Sequence, residues 1–128
     1  MILNVIENIY SLLSNDSTIK SYSTYVTSAG VDTIQSFPSI TIDISSSETL
    51  TFPFNGNISE LQITVWSENN KLEVENISEA VKSDMNYLRS DQSTTKIYWI
   101  LKTSETDESE KDRKLWYKVM RFKVWSVD

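Results

Sequence analysis

The 128-residue sequence contains no cysteine and no histidine. Without cysteine there is no disulfide, no thiolate nucleophile and no thiolate metal ligand, and without histidine the chain lacks the commonest general base and the other usual zinc ligand. The absence of cysteine also fits a reducing compartment. Glycine is scarce as well, with only Gly30 and Gly56, so the sequence has no glycine-rich loop of the kind that cradles a phosphate.

Basic residues and long apolar runs are also few. Twelve Lys and Arg stand against 18 Asp and Glu, which gives a formal charge of −6 and an isoelectric point near 4.6. This balance disfavours a general nucleic-acid binder, whose affinity depends on Lys and Arg that neutralise phosphates. No apolar run reaches the length of a membrane span. The first ten residues have neither the basic start nor the small-residue cleavage site of a signal peptide.

The residues that are present predict one folded domain covering 1–128, because 39% of them are hydrophobic and 11% aromatic. Its organising segment is 61–88. The first part alternates as a half-buried strand does, with Leu61, Ile63 and Val65 on one face and Gln62, Thr64 and Trp66 on the other. Apolar residues then recur at helical steps, at Val74, Ile77, Val81, Met85 and Leu88.

Local signals place the ends of the helices. Asn70 and Glu73 predict a capping box at the start of the central helix, in which the Asn70 side chain accepts from the Glu73 amide and Glu73 reaches back toward the cap. A buried N-terminal helix is predicted to end at the turn-forming residues 14–17. Asp16 or Ser17 is predicted to cap a short second turn after it.

Apolar alternation predicts the strands, at 39–45, 59–67, 96–103 and 115–127, with a short edge strand at 23–27. Segments 46–58 and 104–114 are predicted to be long connections. The first, with Leu50, Phe52 and Phe54, is too apolar for a purely solvated loop, and the second is charged. Together the elements predict an α+β domain in the order α-β-β-α-β-β, with two helices packed on one face of a four- to five-stranded, mostly antiparallel sheet.

Two short patterns resemble chemical sites. Ser17-Thr18-Ile19-Lys20 matches the S-x-x-K motif of acyl enzymes, but the companion motifs are absent. The acidic run around Asp107 and Asp112 lacks the glycine turn and ligand spacing of a calcium loop, and Lys111 and Arg113 lie within it. The sequence therefore predicts no catalytic, metal-ligating or cofactor-binding residue, and we expect a protein that is not an enzyme.

Aromatic residues are the remaining signal, with four Trp, six Tyr and four Phe. Core packing is expected to account for about half of the tryptophans. The others fit an oligomer interface, where Trp and Tyr are enriched. Stacking on single-stranded nucleic acid is a third interpretation, for which the sequence shows no basic groove.

Four features, together with the order of elements, resemble the small tailed-phage tail-terminator and tail-completion (head–tail joining) proteins. These are the strand entry Phe37-Pro38-Ser39-Ile40, the strand LQITVWS at 61–67, the following helix with Val74, Ile77, Ala80 and Val81, and the closing Arg121-Phe122 strand. The resemblance covers nearly the whole chain. The Phe52-Pro53-Phe54 excursion and the acidic 104–114 segment depart from the pattern.

The resemblance implies a structural virion protein with no catalytic residues. Such proteins form a ring, usually a hexamer, that terminates the tail tube and joins it to the head connector, around the channel through which DNA passes. The implied partners are other copies of the chain, the tail tube protein and the neck proteins, without specific DNA binding and without a membrane. The implied location is the head–tail junction of the virion, and the host cytoplasm during assembly.

Candidate interface residues lie on the two long connections and among the tryptophans: Leu50, Phe52, Phe54, Trp66, Glu105, Asp107, Glu108, Glu110, Trp116 and Trp125. Both connections are equally compatible with ordinary surface loops. A head-closure or neck adaptor ring shares the size and acidity of the chain. Outside phage biology, the alternative is a small acidic adaptor or inhibitor that binds one partner.

Overall fold

The computed structural model of the chain describes residues 2–22, 24–27, 36–50, 56–90, 97–110 and 115–126. Three helices and five strands are present in these ranges. In chain order they are α1 (Ile2–Asn15), α2 (Ser17–Ser21), β1 (Tyr25–Thr27), β2 (Ser39–Leu50), β3 (Gly56–Ser67), α3 (Lys71–Ser90), β4 (Ile97–Glu110) and β5 (Leu115–Ser126). None of the helices in this part of the chain has the length and apolar character needed to cross a membrane.

The strands form one mixed sheet in the order β1-β2-β3-β5-β4. Strand β1 pairs with β2 in parallel, and the other three pairings are antiparallel, so the predicted α+β class and mostly antiparallel sheet are confirmed. The predicted order α-β-β-α-β-β was incomplete, because α2 forms a separate helix and β1 a fifth strand.

The hydrophobic core lies between the helices and one face of the sheet. The helices contribute Ile9, Leu13, Ile19, Val74, Ile77, Val81 and Met85, and the sheet contributes Ile40, Ile42, Leu61, Ile63, Val65, Met120, Phe122 and Val124. Burial of each large apolar side chain stabilises the fold by roughly 1.5–3 kcal/mol. The alternation in 61–66 therefore predicted the buried face of β3 correctly.

The two short-range caps are also present. Asp16 caps α2, with its Oδ1 accepting from the amides of Thr18 at 2.8 Å and Ile19 at 3.0 Å. Asn70 Oδ1 accepts from the amide of Glu73 at 2.8 Å. The Glu73 carboxylate accepts instead from side chains before the helix, Ser67 Oγ at 2.8 Å and Asn69 Nδ2 at 3.1 Å, which ties the end of β3 to the start of α3.

The predicted long connections at 46–58 and 104–114 were wrong in extent. Strands β2 and β3 stay paired as far as Leu50 and Gly56, and β4 and β5 as far as Glu110 and Leu115. The hairpins end at opposite ends of the sheet, because Asn57 pairs with Ser126 whereas Trp116 pairs with Ser67. Apolar alternation reports burial of one face, whereas strand pairing depends on backbone hydrogen bonds, so polar strand segments give no such signal.

Candidate interaction surfaces

The face of the sheet opposite the helices carries a row of directly paired side chains on β3 and β5, which we call the β3–β5 ladder. Its five cross-strand pairs are Ile58–Trp125, Glu60–Lys123, Gln62–Arg121, Thr64–Val119 and Trp66–Tyr117. Core residues on these two strands all belong to the alternate positions, on the helix side. Thr64 is buried and the other nine residues are partly exposed. The ladder therefore presents apolar and aromatic pairs at its ends and mostly polar side chains between them.

At one end of the ladder, Trp66 is held by both neighbouring strands. Its Nε1 donates to Oγ1 of Thr41 on β2 at 3.2 Å. On the other side its ring stacks on Tyr117 of β5, with centroids 4.6 Å apart and the planes inclined by 29°. Such an aromatic pair contributes about 0.5–1.5 kcal/mol beyond its buried area. The Trp66 ring is therefore a surface group with a fixed orientation.

The other end of the ladder combines an aromatic ring with cations. Lys123 Nζ lies 5.7 Å from the centroid of the Trp125 ring, within cation–π range. Next to it, Arg121 Nη1 lies 3.5 Å from Oγ of Ser104 on β4. With Arg121 and Lys123 positive and Glu60 negative, the ladder has a formal charge of +1, although the chain carries −6. Beside it on β2, burial raises the pKa of Asp43.

On the helix side, an ionic cluster joins α3 to β4 and β5. Glu105 on β4 lies 2.8 Å from Lys118, 3.2 Å from Lys82 and 2.7 Å from Lys102. The same lysines also meet helix carboxylates, Lys118 with Glu75 at 2.7 Å and Lys82 with Glu79 at 2.7 Å. Hydrogen bonds from Lys102 and Lys118, opposed by partial burial and helped by Lys82, lower the pKa of Glu105 to about 2.

A pair of carboxyl groups lies where α2 meets α3. Burial, and then the neighbouring Asp16 carboxyl, raise the pKa of Asp84 to about 7. Asp84 Oδ2 is buried and makes no hydrogen bond within the described ranges. No group of three or more acidic side chains with the arrangement of a metal site occurs among the residues that the structure describes.

The structure separates the predicted interface residues into different surfaces. Trp66 and Trp125 lie at the two ends of the ladder. Trp116 packs against the core from the helix side, and Glu105 belongs to the ionic cluster. Leu50 lies at the end of β2, and Asp107, Glu108 and Glu110 lie on β4. Phe52 and Phe54 lie outside the described residues.

Three residues of these surfaces were missed from the sequence. Tyr117 stacks on Trp66, and Thr41 fixes its ring. Lys118 occupies a position in the apolar row of β5, between Trp116 and Met120, with only 3% of its surface exposed. The lysine within this apolar alternation could have indicated the ionic cluster, because a buried ammonium requires a carboxylate partner.

The fold is similar to that of a chain in a solved structure. A chain from the virion of a native gene transfer agent (GTA) particle superposes with a TM-score of 0.63 at 9% sequence identity, over 91% of this chain and 90% of that chain. At this identity the similarity concerns the fold. No protein-family model matches the sequence, and no curated protein matches it.

Proposed function

We propose that the chain is a structural virion protein that forms a ring, terminates the phage tail tube and joins it to the head connector. The observation that carries the proposal is the fold shared, over nine-tenths of both chains, with a chain of a GTA virion. The tail-terminator pattern in the sequence, which concerns the order of elements and the 61–67 strand, points to the same assignment. In this proposal, residues 1–128 form one tail-terminator-like domain.

The charge of the chain suits a ring around a DNA channel. A hexamer of chains at −6 each carries 6 × −6, or −36. A lumen through which DNA slides has to avoid holding phosphates, and a negatively charged wall repels them. We therefore expect the purified protein to bind duplex DNA weakly. Tight binding that weakens steeply with added salt would contradict a channel-lining role.

Contacts of the ring with its partners are proposed at the hairpin ends and at the exposed aromatic side chains. The candidates near the hairpin ends are Leu50 on β2 and Asp107, Glu108 and Glu110 on β4. Phe52 and Phe54, which follow β2 in the sequence, and Glu105 of the ionic cluster are proposed as contacts as well. The aromatic candidates are Trp66, Trp116 and Trp125. Because the two hairpins end at opposite ends of the sheet, one chain presents two separate surfaces, as a protein between a tube and a connector requires.

Negative-stain electron microscopy tests the proposal, with the protein alone and with the protein mixed with isolated tail tubes. We expect rings or tubes with one capped end. A matched sample of tubes with an unrelated acidic protein of the same size controls for adventitious binding. Bare tube ends at saturating protein would contradict the terminator role.

A head-closure or neck adaptor ring is the second candidate, because a shared fold with a virion chain supports it equally. The two differ in what they bind. A terminator binds isolated tubes, whereas a neck adaptor binds DNA-filled heads that lack tails. Parallel pull-downs with the two kinds of particle therefore distinguish them.

A further inference from the structure

We infer that the β3–β5 ladder is the contact surface of a symmetric dimer of this chain. In this dimer the ladders of two copies pack face to face about a two-fold axis that runs along the strands, between β3 and β5. Such a contact is isologous and closes on itself, whereas the contacts that build a ring are heterologous. The dimer is therefore a state of the free chain and goes beyond the proposed ring.

The ladder lies on the face of the sheet that none of the described helices covers. The helices pack on the other face, against core side chains at the alternate positions of β3 and β5. Half of the ladder residues are apolar or aromatic, namely Ile58, Trp66, Tyr117, Val119 and Trp125. All five are partly exposed in the single chain. Exposed apolar patches mark interaction sites, and Trp and Tyr are prominent among the residues that dominate binding energy.

The strand register gives each ladder residue a suitable partner in the second copy. Because the axis runs between β3 and β5, it places β3 of one copy over β5 of the other at the same level. Each residue then faces, in the second copy, the residue with which it is paired in its own chain. The facing pairs at the two ends are Trp66 with Tyr117 and Ile58 with Trp125. Two sheets packed about 10 Å apart, with their strands within about 30° of each other, have this geometry.

Charge selects this axis from the other two-fold axes that run along the strands. The acid of the ladder, Glu60, lies on β3, whereas the cations Arg121 and Lys123 both lie on β5. An axis through β3 would place Glu60 against Glu60 of the second copy, and an axis through β5 would place each cation against itself. The axis between the strands instead brings Glu60 against Lys123 twice in each dimer. Complementary charges fix the register of an interface, and like charges disfavour the alternatives.

The strands beside the ladder add no like-charged contact. The same axis places β2 of one copy over β4 of the other. By register, the position of Asp43 on β2 then lies opposite that of Ser104, and the position of Glu108 on β4 lies opposite that of Ser39. Acidic positions next to the ladder are therefore opposite uncharged ones.

The size of this surface indicates the strength of the contact. The ladder extends over eight residue steps from Ile58 to Trp66, roughly 26 Å, and the four long strands are about 19 Å across. The projected area, on the order of 500 Å² per copy, is smaller than the roughly 800 Å² per partner of a standard interface. We therefore expect a reversible dimer that dissociates on dilution.

Sedimentation equilibrium of the full chain over a range of concentrations tests the dimer. Lys123→Glu and Glu60→Lys each place like charges opposite each other at two symmetric positions. We expect each variant to weaken dimerisation about tenfold or more. Lys71→Glu and Glu68→Lys make the same changes of charge at exposed positions outside the ladder and are expected to match the wild type.

An equimolar mixture of Lys123→Glu and Glu60→Lys tests the symmetry of the contact. We expect the mixture to dimerise although neither variant does so well alone. In the mixed dimer Glu60 of the first variant meets Lys123 of the second, and the two substituted side chains also have opposite signs. Circular dichroism melting verifies that each variant is folded. Trp125→Ala changes no charge and is also expected to weaken dimerisation, because it loses the contact with Ile58 of the second copy.

Several results would overturn the inference. A wild-type chain that stays monomeric at all concentrations would do so, as would ladder variants that associate like the two controls. A mixture that associates no more tightly than either variant alone would contradict the two-fold arrangement. Ladder variants that dimerise normally but no longer cap tail tubes would assign the ladder to another virion protein. Failure of the wild type to cap tubes would instead contradict the proposed function and leave the dimer intact.

Discussion

Glu105 on β4 and Lys118 on β5 are diagonal neighbours in the sheet, with Oε1 and Nζ 2.8 Å apart. Lys118 is almost completely buried, and its second partner, Glu75, comes from α3. The helix is therefore joined to the last two strands by a charged contact within an otherwise apolar layer. A buried ammonium without carboxylates is costly, so the position of α3 and the position of β4 depend on each other.

Removal of the central carboxylate is expected to destabilise the fold. Glu105→Ala removes one of the carboxylates that pair with the buried Lys118 ammonium, and we expect the free energy of unfolding to fall by about 2 kcal/mol, below the full cost of an isolated buried charge. Urea denaturation measures the change. Glu79→Ala is the matched control, because Glu79 pairs with Lys82 of the same cluster but its side chain is 68% exposed. If Glu79→Ala lowered the free energy of unfolding as much as Glu105→Ala does, the role assigned to the buried contact between Glu105 and Lys118 would be contradicted.

The Glu105 carboxylate is also expected to make the stability of the fold depend on pH. The pKa of Glu105 lies at about 2 in the folded chain, below its ordinary 4.5. Its contribution to the free energy of unfolding is therefore complete above pH 4.5 and is lost as the pH falls from 4.5 toward 2. We expect the wild type to lose more stability over this interval than Glu105→Gln. Thermal melting of both proteins at several pH values measures the difference, and parallel curves would contradict the lowered pKa.

Asp84 is expected to make the stability of the fold depend on pH in the opposite direction. Its pKa is raised from 3.8 to about 7, so the unfolded chain ionises first and stability decreases as the pH rises through this interval. Asp84→Asn removes the titrating group, and we expect a smaller loss of melting temperature between pH 4 and pH 7 than in the wild type. Glu68→Gln, which removes an exposed carboxyl before α3, serves as the comparison. Equal slopes in wild type and Asp84→Asn would contradict this prediction.

The cap of the central helix is expected to make a measurable contribution. Asn70→Ala removes the acceptor of the Glu73 amide, and loss of such a cap costs about 1 kcal/mol. Asn70→Asp retains an acceptor oxygen at the same place and is expected to remain close to the wild type. Chemical denaturation of the two variants measures the difference. Equal destabilisation by both would assign the effect to something other than the cap.

Local patterns in the sequence predicted the parts of the fold that depend on neighbouring residues. Asn70 and Asp16 cap the helices that follow them, because a cap requires only residues two or three positions away. The alternation of Leu61, Ile63 and Val65 identified the buried face of β3. The partners of Glu73 were different from those predicted, since they depend on how the chain enters the helix after β3.

The candidate surfaces were less predictable. Trp66 and Trp125 were singled out from the sequence, but the residues that orient or accompany them, Thr41 and Tyr117, are distant in the chain. Glu105 was expected on a charged loop, whereas it pairs with lysines from α3 and β5. Whether these residues contact a partner stays a prediction.

By itself the sequence determined the periodicities, the helix caps, the acidic balance and the absence of thiol and imidazole chemistry, because each is a property of residue types and of short spacings. Only the tertiary structure decided that polar segments extend both hairpins, that the buried Lys118 pairs with Glu75 and Glu105, and that Arg121 and Lys123 of β5 lie in a row with Trp66 and Trp125. Those outcomes depend on register across strands, and register is settled by contacts between residues far apart in the chain.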